Sequence, residues 1–387
     1  MMKKLIAMIC TVAMAVSVLA ACGSSTAASA AAETKQETSS GSMESEAAGN
    51  TEAAAESASA AAGTADAAGE TTVQAAETTE APLKLVDGAM NIAALKGPTA
   101  MGMVGFMDGA DSGKITDRKY NFQIAATPDA ITPLLVQGKL DIAAVPANLA
   151  SVLYNNTKGN IQVLAINTLG VIYIVENGDS IHSVQDLKGK TIYASGKGAT
   201  PEYALNYILS GNGIDPAKDV TIEWKSEHAE CLNALLSKEN SIAMLPQPFV
   251  TTAELKSSRI RVAVDFTKEW ENLQKKTNGT SALLTGVVVV RRDYAEKNPD
   301  AVKAFMDHYK ESVDFVNANT DAAAELIGKY NIVKTEVAKK AIPSCNITFI
   351  EGTEMKNKLS GYLSILKDQN PKAIGGTLPG DDFYYTR

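Results

Sequence analysis

The chain has 387 residues, with 36 Lys and Arg against 44 Asp and Glu, for a net charge of −8. That length allows more than one domain with a sizeable core. The acidity argues against a phosphate-seeking nucleic-acid binder, and four Cys are too few for a disulfide-stapled scaffold. These averages conceal three stretches of different composition.

Residues 1–22 open with Lys3 and Lys4, followed by an apolar run over 5–20 that is short for a membrane span. A basic start and a short apolar run predict a secretory signal. It ends Leu19-Ala20-Ala21-Cys22-Gly23, which resembles the lipobox of bacterial lipoproteins. The resemblance implies export, acylation of Cys22 and anchoring to the outer face of the bacterial cell membrane. Residues 23–82 hold 20 Ala, no aromatic residue, and ten acids against the single base Lys35. So little apolar surface cannot offset ordering entropy, which predicts a disordered tether reaching roughly 40 Å. Because the tether carries the acidity, the part that folds is close to neutral, and the net charge says nothing about a ligand's charge.

From residue 83 onward all 22 aromatics appear. Short apolar runs alternate with helical patterns: strands at 90–95, 120–125, 140–145 and 161–167, and helices at 99–108, 129–137 and 147–154. Such alternation predicts a parallel sheet covered by helices. The pattern then repeats about 100 residues on. Ile142-Ala143-Ala144-Val145-Pro146 is answered by Ile242-Ala243-Met244-Leu245-Pro246, and the run at 161–167 by 260–266. The expected fold is therefore α/β with two similar lobes, 83–175 plus 285–387 and 176–284. Apolar segments at 169–176 and 283–291 would cross between them as a hinge. After 291 helical patterns are expected, over 298–317, 321–329, 334–341 and 354–369, without a second sheet's worth of strands.

The turn Ser195-Gly196-Lys197-Gly198-Ala199-Thr200-Pro201, the preceding Asp186-Leu187-Lys188-Gly189-Lys190, and Gln247-Pro248-Phe249 resemble segments of bacterial ABC-transporter substrate-binding proteins. The group resembled is the nitrate/sulfonate/taurine and thiamine-pyrimidine type. The resemblance covers about 88–370. It implies the type II periplasmic-binding-protein fold, a cleft that closes on a small molecule, and delivery to an ABC permease. An enzyme or a non-transport sensor on the same fold is the alternative. No Gly-x-Ser-x-Gly, Cys-x-x-Cys or His-Glu-x-x-His motif occurs, and no cofactor or metal is expected.

Ligands of open α/β sheets bind beyond the strands' carboxyl ends, at helix N-termini that favour anions. In the first lobe this selects Lys96, Gly97, Pro98, Thr99, Thr127 and Asn148. In the second it selects Ser195, Gly196, Lys197, Gly198, Ala199, Thr200, His228 and Gln247, and Thr168 and Thr285 lie at the crossings. Thr127-Pro128 and Thr200-Pro201 also read as N-cap and first-turn proline pairs. The amides of Asn148 and Gln247 occupy matching repeat positions and are expected to face the cleft. His228, with Glu227 and Glu230 beside it, is expected to be a helix-start residue among solvated acids rather than part of a metal site. Cys231 and Cys345 are expected as thiols rather than a disulfide, in a monomer with a small polar or anionic ligand.

Overall fold

The computed structural model describes residues 82–387; the signal, Cys22 and nearly all of the tether lie outside the described residues. The first half of the fold runs β1 (Met90–Leu95), α1 (Pro98–Met101), α2 (Val104–Asp111), β2 (Tyr120–Ala125), α3 (Pro128–Val136), β3 (Ile142–Pro146), α4 (Ala147–Asn156) and β4 (Ile161–Leu169). The chain then crosses into β5 (Ile172–Asn177), β6 (Thr191–Ser195), α5 (Thr200–Gly211), β7 (Thr221–Lys225), α6 (His228–Ser237), β8 (Ile242–Pro246), α7 (Phe249–Lys256), β9 (Ile260–Asp265) and α8 (Phe266–Thr277). It returns through β10 (Leu284–Arg291), α9 (Arg292–Lys297), α10 (Pro299–Ala318), α11 (Thr320–Lys329), α12 (Thr335–Ala341), β11 (Ile347–Ile350) and α13 (Gly352–Gln369).

These strands form two sheets, ordered β11-β4-β10-β3-β1-β2 and β7-β6-β8-β5-β9. Matching the repeat, β4-β10-β3-β1-β2 in one half corresponds to β9-β5-β8-β6-β7 in the other. Each sheet is mixed rather than parallel. β1 runs parallel to β2 and β3, and β6 to β7 and β8, but β10 and β5 are antiparallel to both their neighbours. Both antiparallel strands come directly from a crossing, so each enters its sheet from the opposite end. The run Val287, Val288, Val289, Val290 in β10 is fully buried, as expected of a central strand covered on both faces.

Two elements differ from expectation. The helix expected over 99–108 is broken into α1 and α2 at Gly102, where a Cβ would lie 3.1 Å from both Ile347 and Val313 side chains and 3.3 Å from the Tyr309 hydroxyl. Glycine permits that contact and weakens the helix there. β11, a strand not singled out among the helical patterns after 291, pairs with β4 at the sheet edge. The chain's end then lies along α4. Asn148 Nδ2, Ser151 Oγ and Asn155 Nδ2 donate to carbonyls of Ala373 and Ile374, and Arg292 pairs with Asp382 at 2.6 Å. One buried cluster continues through both halves, from Ile166 and Leu284 to Ile174, Trp270 and Tyr362.

Candidate functional site

The carboxyl ends of β1, β3, β6 and β8 lead into turns that contain most of the expected ligand residues. Gly97 holds φ 113° after β1, and Gly196 and Gly198 hold φ 82° and 78° after β6, conformations that favour glycine. Helices α3, α4, α5, α6 and α7, which follow β2, β3, β6, β7 and β8, start with no bond from an N-cap side chain. α8 differs: the Asp265 carboxylate caps it, accepting from Thr267 N at 2.9 Å and Lys268 N at 3.3 Å. First-turn amides of α3, α4, α5 and α6 keep their partial positive charge without a capping side chain, whereas in α7 the Gln247 side chain takes the Thr251 N–H.

The structure separates the expected residues into exposed and buried sets. Lys96, Thr127, Lys197 and Gly198 are exposed, and Gly97, Asn148, Gly196, Ala199, Thr200, His228 and Thr285 are half-buried. Lys96 also lines a surface pocket of about 630 Å³ with Asn331 and Lys334 on the α11–α12 turn and Glu336 in the first turn of α12. Pro98, Thr99, Thr168, Ser195 and Gln247 are buried. Thr99 and Thr168 belong to the packing of the crossing. Asn167 Nδ2 donates to the Thr99 carbonyl at 3.0 Å, and Thr168 Oγ1 donates to Asn167 Oδ1 at 3.2 Å. Opposite them, a Cβ on Gly286 would lie 2.5 Å from Asn167 Oδ1, so the returning strand needs glycine there.

The paired amides also differ from expectation. Gln247 Oε1 accepts from Thr251 N (3.3 Å) and Thr251 Oγ1 (2.9 Å), so its carbonyl serves α7. Asn148 is engaged at both ends, donating to the Ala373 carbonyl at 3.1 Å and accepting from Thr200 Oγ1 at 3.4 Å. Thr200 is not an N-cap but the first residue of α5, and its hydroxyl also meets the Tyr362 hydroxyl at 2.9 Å. Thr127 is the N-cap of α3, yet its side chain makes no cap bond.

His228 starts α6 and is half-buried. Its Nδ1 lies 2.6 Å from Ser195 Oγ and its ring 5.4 Å from that of Phe249. Burial pushes its pKa below the ordinary 6.5, so the ring is neutral at physiological pH. Glu230 instead accepts from the Ser226 N–H at 3.0 Å, and Glu202 from Gly198 N–H at 2.5 Å. Cys231 and Cys345 are both free and buried, and burial pushes the Cys345 thiol up to about 12. Among the described residues, no group of three His, Cys, Asp or Glu side chains is placed to hold a metal ion.

Sequence reasoning missed the residues that join the halves. Tyr362 meets Thr200, Gln369 and Asn370 reach Tyr203, and the Tyr173 hydroxyl donates to the Ser344 carbonyl at 2.9 Å. Tyr362 lies on the apolar stripe of α13 and gave no signal apart from core packing.

Two α/β halves of matching strand order, joined by crossing segments and carrying turn-to-helix starts at their strand ends, define the type II periplasmic-binding-protein class. A profile of the phosphonate periplasmic substrate-binding proteins of ABC transporters matches residues 113–340, and the chain belongs to that family. It is thus the extracytoplasmic substrate-binding component of an ABC transporter, with a small-molecule ligand and a permease as partners. An ABC transporter structure from Parabacteroides distasonis superposes with a TM-score of 0.66 at 23% identity, covering 78% of this chain and 100% of that one. The periplasmic aliphatic sulphonate binding protein SsuA of Escherichia coli gives 0.61 at 16% identity, covering 78% and 93%. A Brucella abortus chain, provisionally named as a binding protein, is 22% identical over 250 residues, 62% of this chain and 75% of its own. The resemblance to ABC substrate-binding proteins holds; the matching profile is the phosphonate group, and a sulphonate binder stands among the fold neighbours.

Proposed function

We propose that this protein captures a small oxyanion of the phosphonate or sulfonate kind and releases it, unreacted, to its permease. The expected lobes, 83–175 plus 285–387 and 176–284, with the boundary moved so that β5 (Ile172–Asn177) lies wholly in the second, close over the ligand as two bodies, and the protein works as a monomer. Cys22 anchors it by its acyl chains at the outer face of the cell membrane, with 23–82 as the spacer. The observation that carries this reading is the meeting of the first turns of α4 and α5, one from each half, at Asn148 and Thr200. A head group between the turn at 195–199 and the facing loops would be enclosed from both sides. The amides of uncapped helix starts favour an anion there, and Lys197 adds a cation.

Isothermal titration calorimetry of the soluble domain against methylphosphonate, ethanesulfonate, nitrate, taurine and a neutral pyrimidine tests this. Saturable binding of a phosphonate or sulfonate, weakened by Lys197→Ala, is the expected result. Binding of the pyrimidine alone, or of none of the panel, overturns the oxyanion reading.

A further inference from the structure

Tyr362 is wholly buried on α13 among Leu359, Leu363 and Leu366, yet its hydroxyl leaves the core to meet Thr200. α13 packs on β4 and α4 of the six-stranded half, and Thr200 opens α5 of the five-stranded half. The Thr200 hydroxyl has one proton to give. If Tyr362 donates to Thr200 over 2.9 Å, Thr200 is left to donate to Asn148 Oδ1 over 3.4 Å. Each donor is then used once, and Asn148 is itself held by the Ala373 carbonyl. Nearby, Gln369 Nε2 donates to the Tyr203 carbonyl at 3.1 Å and Asn370 Nδ2 to its hydroxyl at 3.0 Å. The Tyr203 hydroxyl in turn donates to the Gly198 carbonyl at 3.1 Å, in the glycine-rich turn. Burial raises the Tyr362 pKa, so the phenol keeps its proton at physiological pH.

We propose that Tyr362 is a positioning residue for lobe closure: through Thr200 and Asn148 it forms a latch that favours the closed arrangement whether or not ligand is bound. Every member is a group of the protein, so the latch acts at any ligand concentration. A latched free protein is open for only part of the time, which lowers the fraction able to admit ligand. The proposal rests on the two-lobed binding reading, but its test contains no ligand, so either can fail alone.

The test places spin labels at the exposed positions Val136→Cys on α3 and Leu255→Cys on α7 and measures the interlobe distance distribution. In the soluble domain, which lacks Cys10 and Cys22, Cys231 and Cys345 are buried, which leaves the new thiols as the labelling sites. Tyr362→Phe keeps the ring and removes the hydroxyl; Thr200→Val removes the other partner. A neutral hydrogen bond predicts a rise of roughly threefold to tenfold in the open-to-closed ratio for either variant. The double variant should add little to the larger single effect, because both act through one bond. A merely structural role would lower the melting temperature and leave the distribution unchanged. Distributions superimposable on the wild type, or fully additive shifts, overturn the latch; Thr200→Val decides alone if Tyr362→Phe does not fold.

Discussion

The two crossing strands occupy equivalent places in their sheets and end in buried charges of opposite sign. In the six-stranded half, β10 ends in Arg291, with Asp141 at 3.7 Å beside the start of β3. In the five-stranded half, β5 carries Glu176 near its end, paired with Arg261 on β9 at 2.8 Å. The supporting bonds differ as well. Burial alone would raise the Glu176 carboxyl, but hydrogen bonds from Ser180 and Ile181 and the Arg261 guanidinium hold it below the usual range. Burial pushes Asp141 upward, and the Asn91 N–H and Arg291 do not fully offset it. The same topological position is thus stabilised in one half by a well-solvated-equivalent carboxylate and in the other by a cation serving an under-compensated acid. More donors surround the Glu176 carboxylate, from Ser180, Ile181 and Arg261, than surround Asp141.

The largest expected effect breaks the cation side. Arg291→Ala leaves Asp141 buried without its guanidinium and removes donors to the Gly138 and Leu140 carbonyls. Urea unfolding at neutral pH should show a loss of about 3–5 kcal/mol. The loss should shrink on acidification, because Asp141, with its raised pKa, takes a proton early. A deficit that is independent of pH would show that Asp141 is not the group left unpaired.

Glu176→Gln is the smaller companion, with an expected loss of about 1–3 kcal/mol near neutrality. A lowered folded-state pKa means the stabilisation is present above the ordinary carboxyl value of 4.5 and is lost as pH falls through the folded value. Wild-type and variant urea midpoints should therefore converge in acid, but at a lower pH than the Arg291→Ala deficit shrinks, because the Glu176 pKa is lowered and the Asp141 pKa raised. Parallel midpoint curves would remove the ion pair from the account.

The smallest contrast concerns helix starts. Asp265→Ala removes the bonds that cap α8 and should cost about 1 kcal/mol, whereas Thr127→Ala, at a cap position without a side-chain bond, should cost under about 0.5 kcal/mol. Equal losses in urea would mean that Thr127 caps α3 in solution, and the start of that helix would no longer be open to an anion.

Much of the fold was legible because apolar runs of strand length stand out between helical patterns; 90–95 and 120–125 match β1 and β2 residue for residue. The repeat was legible for the same reason. The break at Gly102 was not, because it depends on Ile347 and Val313, more than 200 residues away. β11 has four residues, too few to show a period. Within the site, loop placement was legible and side-chain partners were not. Thr99 and Thr168 looked like lining residues and are buried at the crossing, and Asn148 and Gln247 looked alike yet use their carbonyls differently.

By itself the sequence determined the order of strands and helices, the doubling of the α/β unit and the turns that carry glycine, since these depend on local pattern and backbone freedom. Only the tertiary structure decided that the crossing strands run antiparallel, that Thr200 pairs with Tyr362 rather than capping its own helix, and that His228 sits half-buried beside Ser195. Each of those outcomes is set by groups distant in sequence that meet only when the two halves are assembled, and no local pattern encodes such a meeting.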